Sequence, residues 1–522
     1  MDMRKSIIIL LLGGLLHTGC ADWVDVVPEN SVTYTSFFQT EKDAAALLYS
    51  IEIYLRKLPL RFTEYGENVD YRVADREEYL PEIFDVWQNE YRIIDAANLL
   101  IENAWRFPLS EEVLKPYLLQ AYFAKAQAYF QLVRDFGEAP IILEGGLYEP
   151  RPQSPATEVL AEAEKWALKA MELPCYENLN INNVSICKQY GSKGAAAALL
   201  AHIYAWRAGV LEESAYWSKA EEYCTMIIDG ETGFYDLAAT PEAVCVDVLK
   251  GESNEGIWEM YANLEEMDKI SYFYGVMRNV LGFPIVKTAT PTDDTLQFEY
   301  YYVSKKRVNE LYDTADLRLP AYFWHPEVDS IFMIKENGET KAIVERGHGE
   351  VLEKYGNNKK GHVNKFRYGH HQIRDDFPYP LFDGMEMNVI RYRLADIILL
   401  RAECRARQGK ADAVDDLNRI RQRAYGDDEH GWPNADDVKK GLDKDIRLAI
   451  FREREKELLL EGVRYYDARR NGVDYVRKLR AMYEKLSDQD IAKGALYQGL
   501  DDSSFEENDL IRQNEYWNGR IQ

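Results

Sequence analysis

The stretch from Arg452 to Arg470 has the residue types of an acid–base site. Its charged side chains include Glu457, Glu461, Arg464, Asp467, Arg469 and Arg470. Glu453 and Glu457 share one helical face with apolar neighbours at spacings of three and four. A carboxylate on an apolar face must be paired or hydrogen-bonded, and an arginine one turn away supplies the partner. We therefore interpret the stretch as a buried ion network rather than a catalytic centre.

Other catalytic signatures are missing from the sequence. It contains no HExxH, GxSxG or GxxxxGK[ST] motif. Five of the eight histidines cluster between residues 325 and 371, but their spacing fits no standard metal site. Asp293-Asp294 and Asp375-Asp376 could contribute to calcium binding, yet they lack the EF-hand alternation. With 88 acidic residues some carboxylate pair always suits glycoside hydrolysis, so this reaction stays open without being indicated.

Aromatic residues are the most informative candidates for binding. Between Tyr261 and Trp324 there are 13 Phe, Tyr and Trp in 64 residues, including three clusters at 272–274, 300–302 and 322–324. Neighbours in a strand point to opposite faces. Each cluster can therefore send one or two rings into a core and leave another outside. An exposed flat ring suits the apolar C–H face of a sugar, while nearby Asn, Asp and Arg bond its hydroxyl groups.

A second candidate for ligand binding is the segment 61–81. It follows the first predicted helix and mixes Tyr65, Asn68, Tyr71 and Arg72 with acidic residues. The same chemistry applies here, because tyrosine offers a ring and a hydroxyl group while the polar side chains supply hydrogen bonds.

Apolar residues at helical spacing predict the elements that position these candidates. They predict helices over 41–57, 84–105, 111–134 and 156–172. Two further stretches, 195–227 and 390–424, predict a helix, a turn at Gly209 or Gly409, and a second helix with alanine at its start. This is the tetratricopeptide layout, in which each pair is stable only when stacked on its neighbours. The predicted fold is mainly α, with about four such helix pairs.

Helical periodicity fades between residues 231 and 388, where glycine, proline and aromatic residues are frequent. The segment is too long for a loop between stacked repeats. We predict an irregular α+β subdomain inserted between the third and fourth pairs. The expected organisation is a leader over 1–19, three helix pairs over 20–230, the ligand-binding subdomain over 231–388, and the fourth pair, a helix at 442–462 and a tail within 389–522.

The first residues have the form of an export signal. Arg4 and Lys5 precede a short apolar run that is too short to span a bilayer. The run ends at Gly19-Cys20, which resembles a bacterial lipoprotein processing site with the lipid attached to Cys20. An ordinary cleaved signal with an incidental cysteine is the alternative. The other five cysteines are too sparse for a disulfide framework, although Cys175 and Cys187 are left open as a pair.

The charge balance excludes one class of partner. The whole chain has 63 basic and 88 acidic side chains, and loss of residues 1–19 changes its net charge from −25 to −26. Nucleic-acid binding needs a cationic face. We therefore expect no nucleic-acid partner.

Several motifs together resemble the SusD/RagB family of outer-membrane lipoproteins from Bacteroidetes. Trp87, Tyr91, Ile94 and Asn98 are similar to its W-x3-Y-x2-I-x3-N helix. The segments 393–403 and 411–424 resemble its next helix pair, and 452–470 resembles its R-x2-E-L-x2-E-G-x-R-x2-D-x-R-R pattern. The resemblance covers nearly the whole chain after residue 20.

The resemblance implies a binding protein that is not an enzyme and needs no cofactor. It implies capture of an oligosaccharide or polysaccharide at the cell surface and delivery to a SusC-like TonB-dependent transporter. In the family, the segment after the first helix and the inserted subdomain form the glycan face. The expected ligand-binding residues are accordingly Tyr65, Asn68, Tyr71, Arg72, Tyr272, Tyr274, Tyr301 and Trp324. A peptide ligand, as in the RagB branch, and a glycoside hydrolase are the alternatives.

Overall fold

A computed structural model describes most of the helical scaffold and parts of the remaining chain. The described residues are 34, 37–58, 70–71, 84–145, 149–180, 184–262, 286–287, 301–323, 330–336, 339–345, 360–361, 363–372, 381–385, 387–479, 481–506 and 508–519. Within these ranges, no helix combines the length and apolar character needed to cross a bilayer. The predicted leader and Cys20 lie outside the described residues.

Helices make up most of the described chain. In sequence order they are α1 Glu41–Arg56, α2 Gln88–Glu102, α3 Glu111–Phe136, α4 Ala156–Ala170, α5 Lys193–Gly209, α6 Tyr216–Ile228, α7 Pro241–Val246, α8 Lys305–Leu311, α9 Arg318–Tyr322, α10 Leu394–Arg407, α11 Ala413–Tyr425, α12 Ala435–Lys440, α13 Ile446–Glu457, α14 Arg464–Asn471, α15 Val473–Arg477, α16 Ala481–Glu484 and α17 Asp488–Ala492.

The described strands are short and form small separate sheets. They are β1 Asp70–Tyr71, β2 Phe84–Asp85, β3 Gly256–Met260, β4 Val286–Lys287, β5 Tyr301–Ser304, β6 Ser330–Glu336, β7 Glu339–Glu345, β8 Lys360–Gly361, β9 Gly369–Gln372, β10 Leu381–Met385, β11 Val389–Arg393 and β12 Gly499–Leu500. Two sheets have three strands, in the orders β1-β5-β8 and β4-β6-β7. The pairs β3/β11 and β9/β10 are antiparallel, whereas β2/β12 is parallel.

Within the described residues, four helix pairs form the scaffold, as the sequence predicts. The pairs are α1/α2, α3/α4, α5/α6 and α10/α11, and each packs on the next through α2/α3, α4/α5 and α6/α10. The third and fourth pairs are therefore neighbours in space although the long aromatic-rich segment separates them in sequence. The predicted class, a mainly α tetratricopeptide-like scaffold interrupted by an α+β region, is confirmed.

Three predicted helices are longer than the observed ones. Residues 84–85 form β2, so α2 begins only at Gln88. Residues 389–393 form β11, because this β-branched and aromatic run pairs with β3 and is buried there. The helix predicted over 442–462 spans only Ile446–Glu457, since Leu460 and Gly462 adopt left-handed conformations with φ of 61° and 76°.

Gly209 ends its helix, as predicted, but its role is a close contact with another helix rather than the turn. Gly209 is the last residue of α5, and the left-handed residue of the following connection is Glu212, with φ of 59°. A Cβ atom on Gly209 would lie 2.4 Å from the backbone oxygen of Arg470. The glycine is needed for the close approach of α14 to α5, and the sequence pattern does not reveal a neighbour so distant along the chain.

The stretch that looked like an acid–base site is a buried ion network. Arg393, at the end of β11, bridges Glu255, Glu457 and Glu461 at N–O distances of 2.7, 2.8 and 2.8 Å. Arg423 of α11 joins Glu255 and Glu457 at 2.6 and 2.5 Å. All five side chains are buried. The predicted structural role of this stretch is confirmed.

The network extends on both sides of Arg393. Arg318 pairs with Asp316 at 2.7 Å and with Glu453 at 2.6 Å, so α9 is joined to α13. Arg454 of α13 pairs with Asp396 of α10 at 2.6 Å and with Asp467 of α14 at 2.7 Å. These contacts fix α13 against α10 of the fourth helix pair and against α9, which precedes that pair in the sequence.

Electrostatic interactions in the network favour the ionised form of its carboxyl groups over the protonated form. Burial alone raises the pKa of Glu457, but the charges of Arg423, Arg393 and Arg318 outweigh it and hold this pKa below its ordinary value. For Glu455 the same competition, with Arg464 as the strongest opposing charge, lowers the pKa to about 2. The network is therefore ionised at neutral pH, and loss of one member leaves buried charges unpaired.

We expect Arg393→Met to lower the free energy of unfolding by about 3–5 kcal/mol, since it removes a guanidinium that three buried carboxylates share and leaves Glu461 without an arginine partner. Denaturant unfolding measures the effect. The control is Lys115→Met, which breaks a pair with Glu172 whose side chains are 48% and 62% exposed. Such an exposed pair contributes little to stability, because water and salt screen it. Equal losses for the two variants would contradict a stabilising role of the network.

Candidate functional site

The two segments expected to bind ligand leave the scaffold beside the same strand. The carbonyl of Leu58, which precedes the first segment, accepts a hydrogen bond from Arg391 of β11 at 2.5 Å. The backbone N–H of Ala262, where the second begins, donates to the side-chain oxygen of Asn388 at 3.1 Å. Since Asn388 directly precedes β11, one short piece of chain fixes the starting points of both segments.

A buried cluster of hydrogen-bonded polar groups connects the two places where these segments begin. The side-chain oxygen of Gln189 accepts hydrogen bonds from Arg56 of α1 at 2.9 Å and from the backbone N–H of Tyr261 at 3.2 Å. Its backbone carbonyl accepts from the indole N–H of Trp258 at 2.8 Å. Gln189 therefore connects the end of α1 with the end of β3, the two elements from which the candidate segments continue.

Glu52 is the unusual member of this cluster. It lies on α1 one turn before Arg56, and only 5% of it is exposed. Burial raises its pKa to about 8, against the opposing effects of the Arg56 charge and a hydrogen bond from Gln189. Sequence reasoning missed this residue. A signal was present, because Glu52 falls on the apolar stripe of α1 beside Ile51 and Leu55.

The segment after α1 and the aromatic-rich segment meet in one sheet. Strand β1 pairs with β5 in antiparallel orientation, and the register places Tyr71 opposite Tyr301 and Asp70 opposite Tyr302. Strand β8 pairs with the other edge of β5. Two of the eight expected ligand-binding residues are thus directly opposite each other in the backbone ladder.

The other expected residues lie outside the described residues. They are Tyr65, Asn68, Arg72, Tyr272, Tyr274 and Trp324. Of the cluster at 322–324, Tyr322 and Phe323 are both fully buried in the core. The expectation that one or two rings of a cluster enter the core is confirmed for these two residues.

The described chain shows no arrangement typical of a metal centre. Within the described ranges no group of three or more His, Cys, Asp or Glu could hold a metal ion. Cys175 and Cys187 are both free thiols, so the pairing left open above does not occur in this structure. The carboxylates nearest to an acid–base pattern, Glu457 and Glu461, are buried and paired with Arg393.

Comparison with family models and curated proteins identifies relatives along the chain. The model described as the SusD family matches residues 279–517, and the model described as "Starch-binding associating with outer membrane" matches residues 61–205. The SusD-like protein P2 of Formosa agariphila is 26% identical over 509 residues, covering 90% of this chain and 91% of that protein.

Solved structures share the fold over nearly the whole chain. NanU of B. fragilis superposes with a TM-score of 0.70 at 20% identity, covering 94% of this chain and 99% of NanU. Surface glycan-binding protein A from Bacteroides uniformis gives a TM-score of 0.63 at 19% identity, with coverages of 91% and 100%. These structures show a shared fold, and the two family models, which match residues 61–205 and 279–517, show that the chain belongs to the SusD/RagB family.

We expect Glu52→Gln to raise the melting temperature more at pH 9 than at pH 5. A pKa of about 8 in the folded chain exceeds the ordinary value of 4.5. The folded state therefore holds an extra proton between these values, and stability falls as the pH rises through that window. Glutamine is neutral at both pH values, so the variant lacks this loss of stability at high pH.

Thermal unfolding at the two pH values measures the difference for Glu52→Gln. The control is Glu112→Gln at the exposed start of α3, which should shift the melting temperature equally at both pH values. An equal shift for Glu52→Gln as well would refute the proton uptake.

Proposed function

We propose that this protein binds a glycan at the cell surface and delivers it to a SusC-like TonB-dependent transporter in the outer membrane. The observation that carries the proposal is the pairing of Tyr71 with Tyr301 on a SusD/RagB scaffold. This pairing joins the two segments whose composition suits sugar binding. The names of the matching family model and of the B. uniformis protein, which mention starch and glycan, support the same ligand class.

The proposed chemistry is stacking and hydrogen bonding without covalent change. Tyrosine and tryptophan rings cover the apolar face of a sugar, while asparagine and arginine bond its hydroxyl groups. We assign this role to Tyr65, Asn68, Tyr71, Arg72, Tyr272, Tyr274, Tyr301 and Trp324. The ion network supports a binding role, because its carboxylates are buried and held by arginine.

Attachment to the membrane is part of the same proposal. We assign Cys20 as the lipid attachment site, which follows from the export signal and the family. The body would then remain near the transporter, and the description of the matching family model, which mentions the outer membrane, supports this location.

We expect Tyr71→Ala and Tyr301→Ala each to weaken glycan binding about two- to tenfold, since an aromatic contact contributes roughly 0.5–1.5 kcal/mol. Isothermal titration of the chain lacking residues 1–19, with Cys20→Ser, against a glycan panel measures this. For an open face we expect dissociation constants of about micromolar to millimolar. The matched control is Tyr49→Ala, which removes a tyrosine that is 69% exposed on α1.

Two outcomes of the titration would overturn the proposed function. Binding of peptides from a library, with no glycan bound, would replace glycan uptake by peptide uptake. Release of a cleaved product from a glycan, abolished by one Glu or Asp substitution, would make the protein a hydrolase.

A further inference from the structure

A cavity of about 670 Å³ lies at the start of α2, outside the β1-β5-β8 sheet. Small-molecule sites typically have volumes of about 300–1,000 Å³. Described residues from three parts of the chain that are distant in sequence form its walls: the first from 86–95, the second from 140–144 and 149–151, and the third from 503–506 and 508–511. Trp87 and Tyr91 of the W-x3-Y-x2-I-x3-N motif line this cavity, although the sequence pattern predicts no binding role for them.

Hydrogen bonds hold the three walls together. The hydroxyl of Tyr91 donates to the carbonyl of Pro140 at 2.8 Å, which joins the first wall to the second. The side-chain amide of Asn508 donates to the carbonyl of Arg151 at 2.9 Å, which joins the third wall to the second. The parallel pair β2/β12 joins the first and third walls directly before the cavity. The cavity is therefore built by tertiary contacts.

One side of the cavity is apolar and aromatic. Trp87 and Tyr91 pack edge to face with ring centroids 5.4 Å apart, and Ile142 and Ile511 complete this side. Trp87 is only 8% exposed, so it offers little ring surface to a ligand. Tyr91 is half-buried and presents more of its ring.

The rest of the lining is charged. Two guanidinium groups and four carboxylates line the cavity: Arg92, Arg151, Asp95, Glu144, Glu149 and Glu506. Among the described residues, Glu144, Glu149, Glu506 and Arg151 form no side-chain ion pair with one another or with a neighbour. The buried hydroxyl oxygen of Ser504 also has no hydrogen-bond partner in the described chain. These groups are available to a ligand.

We infer that this cavity is a second glycan site, which takes a short glycan that is neutral or carries amino groups and rejects polyanionic glycans. The inference rests on the proposed function and adds the ligand class. Carboxylates accept hydrogen bonds from hydroxyl and ammonium groups, and guanidinium groups donate to sugar oxygens. Sulfate or uronate groups would meet an excess of two negative charges in the lining.

The charge of the whole chain acts in the same direction. After removal of the leader the net charge is −26, so the field of the protein opposes the approach of a polyanion. This long-range effect is screened by salt beyond about 8–10 Å, whereas contacts inside the cavity are screened less. The two contributions can therefore be separated by moving charges within and outside the cavity.

The test reverses two charges in the cavity with Glu144→Lys/Glu149→Lys. The control, Glu112→Lys/Glu158→Lys, makes the same change of net charge on exposed parts of α3 and α4. Titration probes are maltotriose, the glucosamine trimer chitotriose and trigalacturonate. We expect the wild-type chain to bind the first two, and the cavity variant to bind chitotriose at least tenfold more weakly and trigalacturonate more tightly. The control should change each constant less than threefold.

The same titrations distinguish failure of this inference from failure of the proposed function. If glycans bind and Tyr71→Ala weakens them, but the cavity variant behaves as the control, only the cavity inference is wrong. Preference of the wild-type chain for trigalacturonate would also overturn it alone. If no probe or panel glycan binds the wild-type chain, or only peptides do, both inferences fail.

Discussion

The fold depends on ion pairs that are buried where the chain returns to its helical stack. After α6 the chain leaves the repeat scaffold and comes back at β11 and α10, which must pack on α6 in one register. At this point Arg393 donates hydrogen bonds to three carboxylates from two distant parts of the sequence. A guanidinium in the interior is tolerated only when its hydrogen-bonding positions are satisfied. An alternative docking of α10 would leave these charges unpaired, whereas apolar packing alone discriminates less strongly between registers.

Strand β11 connects this network to the candidate ligand face. Arg393 at its end anchors the ion pairs, Arg391 holds the end of α1, and Asn388 before it holds the end of β3. Tyr392 donates its hydroxyl to Gln127 of α3 at 2.9 Å. Strand β11 and the residue before it thus form hydrogen bonds with several separate elements. Because binding residues need rigid support to hold a preformed geometry, the buried charges also define where the two candidate segments begin.

Periodicity and composition predict the helices of the scaffold well, but they predict poorly the contacts between residues that are far apart in the sequence. The helix pairs follow from apolar spacing, and the carboxylates on the apolar face of α13 correctly indicated buried ion pairs. The strands β2 and β11 were assigned to helices because their partners, β12 and β3, lie far away in sequence. Gly209 was assigned to a turn for the same reason, since Arg470 approaches it from another helix. The cavity beside Tyr91 depends on three such distant segments, and no local pattern encodes it.

The parallel pairing of β12 with β2 has a consequence for the order in which the protein matures. A ribosome makes the chain from its first residue, yet the strand that precedes α2 is completed only by residues 499–500, near the other end. Gln498 likewise donates its backbone N–H to the carbonyl of Asp135 at 2.8 Å, at the end of α3. The contacts of β2 and α3 with residues 498–500 therefore form only after most of the scaffold has been synthesised.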